Sequence, residues 1–280
     1  MSIEIICPLY NASNYIENLH KSLLNQKEIE HFKITYILTE SNDSTKKYLL
    51  DNKLSFKEIK KKDFSHSLVR ENAAKECKAD IIVFISQDIV IEDELWLYYL
   101  TKDIINGTVD AAFSRQITKY NNIEKYTREK NYPNVSRIVS KDNIPELGLN
   151  TFFFSDASSA ISRKVFKELN YYDNKNLPIN EDMYIAYKLI MNDKKIKYCA
   201  DSVVYHSHNF KLKELYDRYK LTGQFFKQNS YLDEFGTGKA GGGLAKYVLK
   251  RAIQEKNVKV IFRFIPDMAV RYIGMKVGKK

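Results

Sequence analysis

The chain has 280 residues, enough for one large α/β domain with an appendage and for a sizeable buried core. Its formal net charge is +10. Residues 244–280 carry ten basic side chains against two acidic ones, a difference of +8, so the rest is close to neutral. A nucleic-acid-binding protein would need the charge on its folded body, so we expect no nucleic-acid partner. A basic tail instead indicates an anionic surface such as a membrane.

The three cysteines, Cys7, Cys77 and Cys199, are far apart and form no CxxC pair. Because each lies in an apolar run, we predict buried thiols rather than disulfides or a metal finger. The chain begins without a basic segment ahead of its apolar run, which predicts no signal peptide. No apolar stretch reaches the roughly 18 residues of a membrane helix. We therefore expect a cytoplasmic protein that could touch the inner face of the cell membrane.

The predicted elements alternate along the first half of the chain. Strands are expected at 3–10, 33–39, 54–59, 81–85 and 111–116, and helices at 11–26, after 45, at 67–77 and at 92–105. Residues 117–150 are polar and predict a long loop or lid with short helices. Further on we expect strands at 151–159 and 196–207 and helices at 163–169, 180–192 and 211–228. The glycines of 236–243 predict a flexible break.

This alternation predicts an α/β fold with a mostly parallel sheet flanked by helices on both faces. In such sheets ligands bind at the carboxyl ends of the strands. Two polar clusters, 40–45 and 86–88, directly follow predicted strands, so we expect a binding site at that edge. No P-loop, GxGxxG or GxSxG pattern is present, which disfavours a kinase, a dehydrogenase or an α/β-hydrolase.

Two segments offer metal ligands. Asp88 follows a buried strand, where a carboxylate can hold Mg²⁺ or Mn²⁺ against a diphosphate, although Asp is common at such turns and at helix caps. His206 and His208 are two apart on a predicted strand and can point to one side together. They are two of the five histidines, and this spacing is compatible both with a shared functional role and with two exposed histidines at a strand end.

Three further positions offer chemistry or charge. The pair Glu181-Asp182 opens a predicted helix, where a carboxylate can act as general base or simply interact with the helix dipole. His66 and Arg70 are four apart and share a helix face that could meet a nucleotide. Asp43 follows the second strand and could accept hydrogen bonds from a ribose or base, or cap a turn.

The order of these motifs resembles the family 2 glycosyltransferases, and within them the bacterial rhamnosyltransferase-like branch. The resemblance covers roughly residues 3–226. It rests on Cys7–Asn11, on Phe64–His66 with Arg70, on Val83–Asp88, on Phe113–Gln116, and on Glu181-Asp182 with Tyr205–Phe210. The resemblance implies a GT-A fold with a C-terminal helical extension, and inversion at the anomeric carbon of a nucleotide-diphosphate sugar.

By position, the resemblance also assigns roles to single residues. Asp182 takes the place of the general base, with Glu181 beside it, and Asp88, His206 and His208 take the metal or diphosphate site. The implied donor-binding residues are Pro8, Tyr10, Asp43, His66, Arg70, Gln87, Arg115 and Gln116. The implied metal is Mg²⁺ or Mn²⁺, and the implied acceptor is a lipid-linked or cell-surface glycan. The donor is expected to be dTDP-rhamnose, with a UDP-hexose and a non-catalytic sugar-nucleotide-binding protein as alternatives.

Three positions depart from the family pattern. The usual DxD is reduced to Gln87-Asp88-Ile89, which loses one carboxylate and puts metal dependence in question. Glu71 separates Arg70 from Asn72, which the branch often has together. Asp156 stands where a neutral amide is common, which bears on acceptor contacts.

We predict three segments: a nucleotide-sugar half over 1–116, an acceptor half over 117–210 and a helical basic extension over 211–280. Residues 244–280 contain an apolar set that could face a bilayer: Ile261, Phe262, Phe264, Ile265, Met268 and Val270. The alternative is that this segment packs on the catalytic domain or on another subunit, and an oligomer is compatible with either arrangement.

Overall fold

The computed structural model describes residues 1–280, except for the side chains of residues 237–240. In this part of the chain eight strands form one sheet in the order β3-β2-β1-β4-β7-β5-β8-β6. The strands are β1 Ile3–Leu9, β2 Phe32–Thr39, β3 Phe56–Ile59, β4 Ile81–Ile85, β5 Ala111–Ile117, β6 Arg137–Val139, β7 Ser158–Ser162 and β8 Ile196–Tyr205. Strands β7 and β6 run antiparallel to their neighbours, and the other pairs are parallel. The mostly parallel sheet is confirmed.

Helices cover both faces of the sheet, as predicted. They are α1 Ile16–Leu24, α2 Thr45–Asp51, α3 His66–Glu76, α4 Trp96–Ile105, α5 Ile123–Asn131, α6 Ile144–Leu147, α7 Arg163–Glu168, α8 Glu181–Met191, α9 Leu212–Gln228, α10 Thr237–Gln254 and α11 Val258–Lys279. One apolar layer joins α1 and α4 to the sheet, and a second joins α3, α7 and α8 to its other face. Cys7, Cys77 and Cys199 are buried and free, as expected.

The strand expected at 151–159 is wrong over most of its length. Residues Gly148–Phe152 form a 3-10 turn, and strand β7 begins only at Ser158. The reason lies in three successive aromatic side chains that do not alternate between two faces. Phe152 packs against Tyr187 and Phe235, whereas Phe153 and Phe154 both contact the ring of Phe113.

The lid predicted over 117–150 is more regular than a loop. It contains helix α5, whose first turn is capped by Asn122, and strand β6, which pairs antiparallel with β8. Strand β6 extends the sheet beyond β8. Helix α5 brings Arg128 beside the end of β5, where it donates to Gln116.

The C-terminal extension folds onto the rest of the chain. Helices α9 and α11 run side by side, and the contacts advance in step along both: Gly274 meets Tyr216 and Lys220, and Gly278 meets Lys220 and Gln224. A Cβ atom added at Gly223 would lie 2.4 Å from the carbonyl oxygen of Met275. The two backbones are therefore in direct contact, which small residues alone permit.

The predicted apolar set of the tail is divided by this packing. Ile261 and Phe264 pack into a small core with α5 and α10, so their expected exposure is wrong. Phe262 and Ile265 are 79% and 75% exposed. No helix of the described residues is both long enough and apolar enough to cross a membrane.

The predicted glycine-rich break over 236–243 includes residues 237–240, whose side chains lie outside the described part of the structure. Gly236 has a positive φ of 85° and ends the preceding turn. Gly241, Gly242 and Gly243 lie within helix α10, so the expected break is wrong at these three positions.

Candidate active site

A cavity of about 570 Å³ opens at the carboxyl ends of the parallel strands. This is the edge at which α/β sheets bind ligands. Residues from both predicted halves and from α9 line it. Its charged and imidazole side chains are Lys61, His66, Arg70, Asp88, Asp156, Glu181, Asp182, His206, His208 and Arg218.

Asp88, His206 and His208 form one cluster at this edge. Their nearest ligand atoms all lie within 4.8 Å of one another. Asp88 Oδ1 is 3.6 Å from His206 Nε2, and Asp88 Oδ2 is 3.7 Å from His208 Nδ1. The three residues follow β4 and β8, which are separate strands of one sheet. The sheet therefore brings together the two segments that the sequence singled out as metal ligands.

His206 is held in one orientation by Gln116. Gln116 Oε1 lies 2.9 Å from His206 Nδ1 and also accepts a hydrogen bond of 2.7 Å from Arg128, while Gln116 Nε2 donates to Ser155 at 2.7 Å. Because that oxygen can only accept, His206 donates through Nδ1 and turns the lone pair of Nε2 toward Asp88. Burial, together with the charge of Arg128, lowers the pKa of His206 well below its usual range. A neutral imidazole that faces a carboxylate in this way suits a cation between them.

The pair Glu181-Asp182 lies across the cavity at the start of α8. Arg70 donates to Glu181 Oε1 at 3.2 Å and to the backbone carbonyl of His66 at 3.0 Å. Burial, with the neighbouring negative charges of Glu181 and Asp156, raises the pKa of Asp182 well above that of an ordinary aspartate. Because Glu181 forms an ion pair with the buried Arg70, Asp182 is the carboxylate of this pair that can exchange a proton.

The remaining wall is built by the loops after β1 and β4. Gln87 bridges them: its amide donates to the Tyr10 carbonyl at 2.9 Å and accepts from the Tyr10 amide at 2.7 Å. Pro8 and Thr39 line the same cavity, and Lys61 stands over the Tyr10 ring at 5.1 Å. A flat ring with a cation and backbone groups nearby suits a nucleoside.

Three of the predicted donor-binding residues do not line the cavity. Asp43 accepts hydrogen bonds from the Ser13 amide and from the Thr45 amide and hydroxyl, which are the contacts of a turn and cap. Arg115 is not among the lining residues, and it follows an irregularity in the β5–β8 pairing. Gln116 is buried and acts on His206 from behind the cavity wall.

Lys61 and Arg218 line the cavity but were not singled out from the sequence, and Asp156 was noted only as a departure. Asp156 is buried, and its carboxylate accepts from Tyr172 at 2.7 Å and Ser159 at 2.8 Å. Arg218 lies on α9, ten residues after the second histidine. The position of Arg218 on the helix that directly follows His206 and His208 is a sequence signal that could have indicated it.

Known proteins resemble this chain over its whole length. A family model described as glycosyl transferase family 2 matches residues 4–170. The O-antigen chain rhamnosyltransferase RfbN of Salmonella typhimurium (strain LT2) is 33% identical over 100% of this chain and 90% of its own. The O-antigen chain rhamnosyltransferase WbaN of Salmonella anatum is 29% identical over 99% of this chain and 89% of its own.

Solved structures share the fold at low sequence identity. The mannosyltransferase PcManGT from Pyrobaculum calidifontis, in complex with GDP-Man and Mn²⁺, has a TM-score of 0.64 at 12% identity, covering 99% of this chain and 86% of its own. S. aureus TarS in complex with UDP-GlcNAc has a TM-score of 0.59 at 16% identity, covering 100% and 90%. With the fold and the family match in agreement, the chain is a rhamnosyltransferase-like member of the family 2 glycosyltransferases, with the GT-A fold.

Proposed function

We propose that the protein is an inverting glycosyltransferase that moves rhamnose from dTDP-rhamnose to a hydroxyl of a lipid-linked or cell-surface glycan. The observation that carries this proposal is a single cavity with a proton-accepting carboxylate, Asp182, across from a candidate diphosphate site at Asp88, His206 and His208. The names of the relatives RfbN and WbaN favour rhamnose and a polysaccharide acceptor. The division into a nucleotide half, 1–116, and an acceptor half, 117–210, stays a prediction.

The proposed step is one displacement at the anomeric carbon. Asp182 accepts the proton of the acceptor hydroxyl as the hydroxyl oxygen forms its bond to that carbon. The bond from the carbon to the phosphate oxygen breaks on the opposite face, and its electron pair leaves with the nucleoside diphosphate. The raised pKa of Asp182 suits this task because a stronger base accepts the proton more readily. Arg70 and Glu181 hold the start of α8, and so the position of Asp182.

The residues of the cluster fit a divalent metal. Asp88 offers a carboxylate, and His206 and His208 offer imidazole nitrogens, of which that of His206 is fixed by Gln116. Such an ion, Mg²⁺ or Mn²⁺, would supply positive charge to the leaving diphosphate. Two nitrogen ligands favour Mn²⁺ over Mg²⁺, which prefers oxygen alone. The Mn²⁺ in the complex of PcManGT is in keeping with this choice.

Asp182→Asn tests the assignment of the base. The variant should retain donor binding and lose roughly two or more orders of magnitude in turnover, within the range typical of a general base. The measurement is nucleoside diphosphate release from a panel of nucleotide sugars, with and without Mn²⁺. Near-full activity of Asp182→Asn would remove Asp182 from this role.

The same panel separates the alternative functions. A preference for UDP-hexoses over dTDP-rhamnose would change the donor and keep the reaction class. Tight nucleotide binding with no turnover of any donor would indicate a non-catalytic sugar-nucleotide-binding protein. The cavity favours an enzyme because a carboxylate with a raised pKa, buried in a cleft beside other charged groups, is typical of catalytic acids and bases.

We also propose that helix α11 contacts the inner, anionic face of the cell membrane, where a lipid-linked acceptor would be met. Its outer face exposes Val258, Phe262, Ile265, Tyr272 and Ile273, which lie on one stripe at helical spacing. Basic residues flank that stripe, and residues 244–280 carry a charge of +8. Each basic residue near such a surface contributes about 1 kcal/mol.

Sedimentation with liposomes tests this contact. Phe262→Ser with Ile265→Ser should reduce binding to anionic vesicles, whereas wild-type protein should bind them and leave neutral vesicles largely unbound. Equal binding by both proteins would refute the proposal. A concentration-dependent dimer that dissociates in the double variant would instead assign the stripe to a second copy of the chain.

A further inference from the structure

Arg218 reaches the cavity from α9, outside residues 4–170 that match the family. Its guanidinium carbon lies 5.5 Å from the centre of the Phe210 ring. Stacking of this kind fixes a guanidinium and leaves its charge available. Among the described residues, no carboxylate lies within ion-pair distance of Arg218, and none accepts a hydrogen bond from its guanidinium.

The other cations that line the cavity are placed differently. Arg70 is 4% exposed and paired with Glu181. Lys61 stands over the Tyr10 ring, at the wall that suits a nucleoside. Among the described residues that line the cavity, Arg218 is therefore the cation without a carboxylate partner on the side formed by His206 and His208.

The cluster of Asp88, His206 and His208 needs such a cation. A divalent ion on one carboxylate and two neutral imidazoles retains a single positive charge in excess. A nucleoside diphosphate leaves with more negative charge than that, and its charge grows as the bond to the sugar breaks. A fixed donor aimed at developing charge stabilises the transition state more than the ground state.

We propose that Arg218 binds the donor diphosphate and stabilises it as the leaving group, so that the C-terminal extension completes the active site. The ligand class is the diphosphate of a nucleotide sugar. The proposal rests on the proposed function for the identity of the reaction. Its binding test stands apart from that reaction, because it needs only the nucleotide.

The experiment compares Arg218→Ala and Arg218→Lys with Lys220→Ala as a matched control. Lys220 is an exposed cation two residues further along α9, and it does not line the cavity. Calorimetry measures the affinities for dTDP and UDP against those for dTMP and UMP, with and without Mn²⁺. Kinetics then give kcat and KM for the donor.

Arg218→Ala should weaken diphosphate binding tenfold or more, change monophosphate binding much less, and lower kcat about 100-fold. Arg218→Lys should recover part of the diphosphate affinity and part of kcat, and Lys220→Ala should match wild type. Equal affinities of Arg218→Ala and Lys220→Ala for dTDP and UDP would overturn the proposal. Equal losses for the diphosphates and monophosphates would also overturn it, because Arg218 would then act on the nucleoside or on folding.

Failure of the proposed function can be distinguished from failure of the role proposed for Arg218. If wild-type protein turned over no nucleotide sugar, the proposed function would fail. Selective loss of diphosphate affinity in Arg218→Ala would in that case still establish the diphosphate contact. If wild-type enzyme were active and Arg218→Ala bound the diphosphates and turned over the donor as well as wild type, the proposed function would stand and the role of Arg218 would fail.

Discussion

Gly223→Ala tests the close contact of α9 with α11. The new Cβ would lie 2.4 Å from the Met275 carbonyl oxygen and 2.9 Å from the Gly278 Cα. Ordinary contacts are roughly 1 Å longer, so the helices must separate by about that distance. Overpacking of this kind costs about 1–3 kcal/mol, against a gain of about 0.5–1 kcal/mol from replacing glycine within a helix. The midpoints of the two ranges give a net loss of about 1.25 kcal/mol, which corresponds to a Tm lower by about 3–5 °C.

Gly242→Ala is the matched control for the same substitution. A Cβ at Gly242, within α10, meets no atom within 4 Å. The gain in helix propensity then stands alone, and Tm should rise by about 1–3 °C. Thermal unfolding followed by circular dichroism at several scan rates measures both variants. A Gly223→Ala protein as stable as Gly242→Ala would refute the direct backbone contact between α9 and α11.

The remaining predictions concern the charges of the cavity. Asp182 is competent as a base only when ionised, so kcat/KM should fall as the pH falls through its raised pKa. Glu181→Gln removes a negative neighbour, which lowers that pKa and should move the acid limb of the pH profile to lower pH; an unmoved limb would contradict the coupling. Gln116→Leu should raise the Mn²⁺ concentration needed for half-maximal activation about 10–100-fold, since His206 loses the partner that fixes it. His208→Ala should weaken metal activation or donor binding, and an unchanged metal response would exclude that role.

Much of the fold was predictable because strands and helices alternate with strong apolar patterns. Strands β1, β2, β4 and β5 match their predicted positions within about two residues. The histidine segment and Asp88 were predictable as one cluster, because the carboxyl ends of parallel strands share one edge of the sheet. The run Phe152–Phe154 was not predictable as a turn, since its three rings pack in directions that only tertiary structure fixes.

The contributions of Gln116 and Arg218 could not be predicted in detail. The residue patterns placed Gln116 on a strand, but its hydrogen bond to His206 depends on the pairing of β5 with β8. Arg218 lies on α9, which packs against α11, and two of the glycines at that contact, Gly274 and Gly278, follow Arg218 by 56 and 60 residues. Such long-range geometry leaves no local pattern.

The bridge between Gln87 and Tyr10 has a consequence for the order in which ligands bind. Its amide both donates to and accepts from the Tyr10 backbone, which a carboxylate at this position could not do. The wall that suits a nucleoside is thus assembled by neutral hydrogen bonds alone and does not require a divalent ion to hold it. Initial-rate kinetics should accordingly show random addition of metal and nucleotide, in contrast to an ordered scheme in which the metal must bind first.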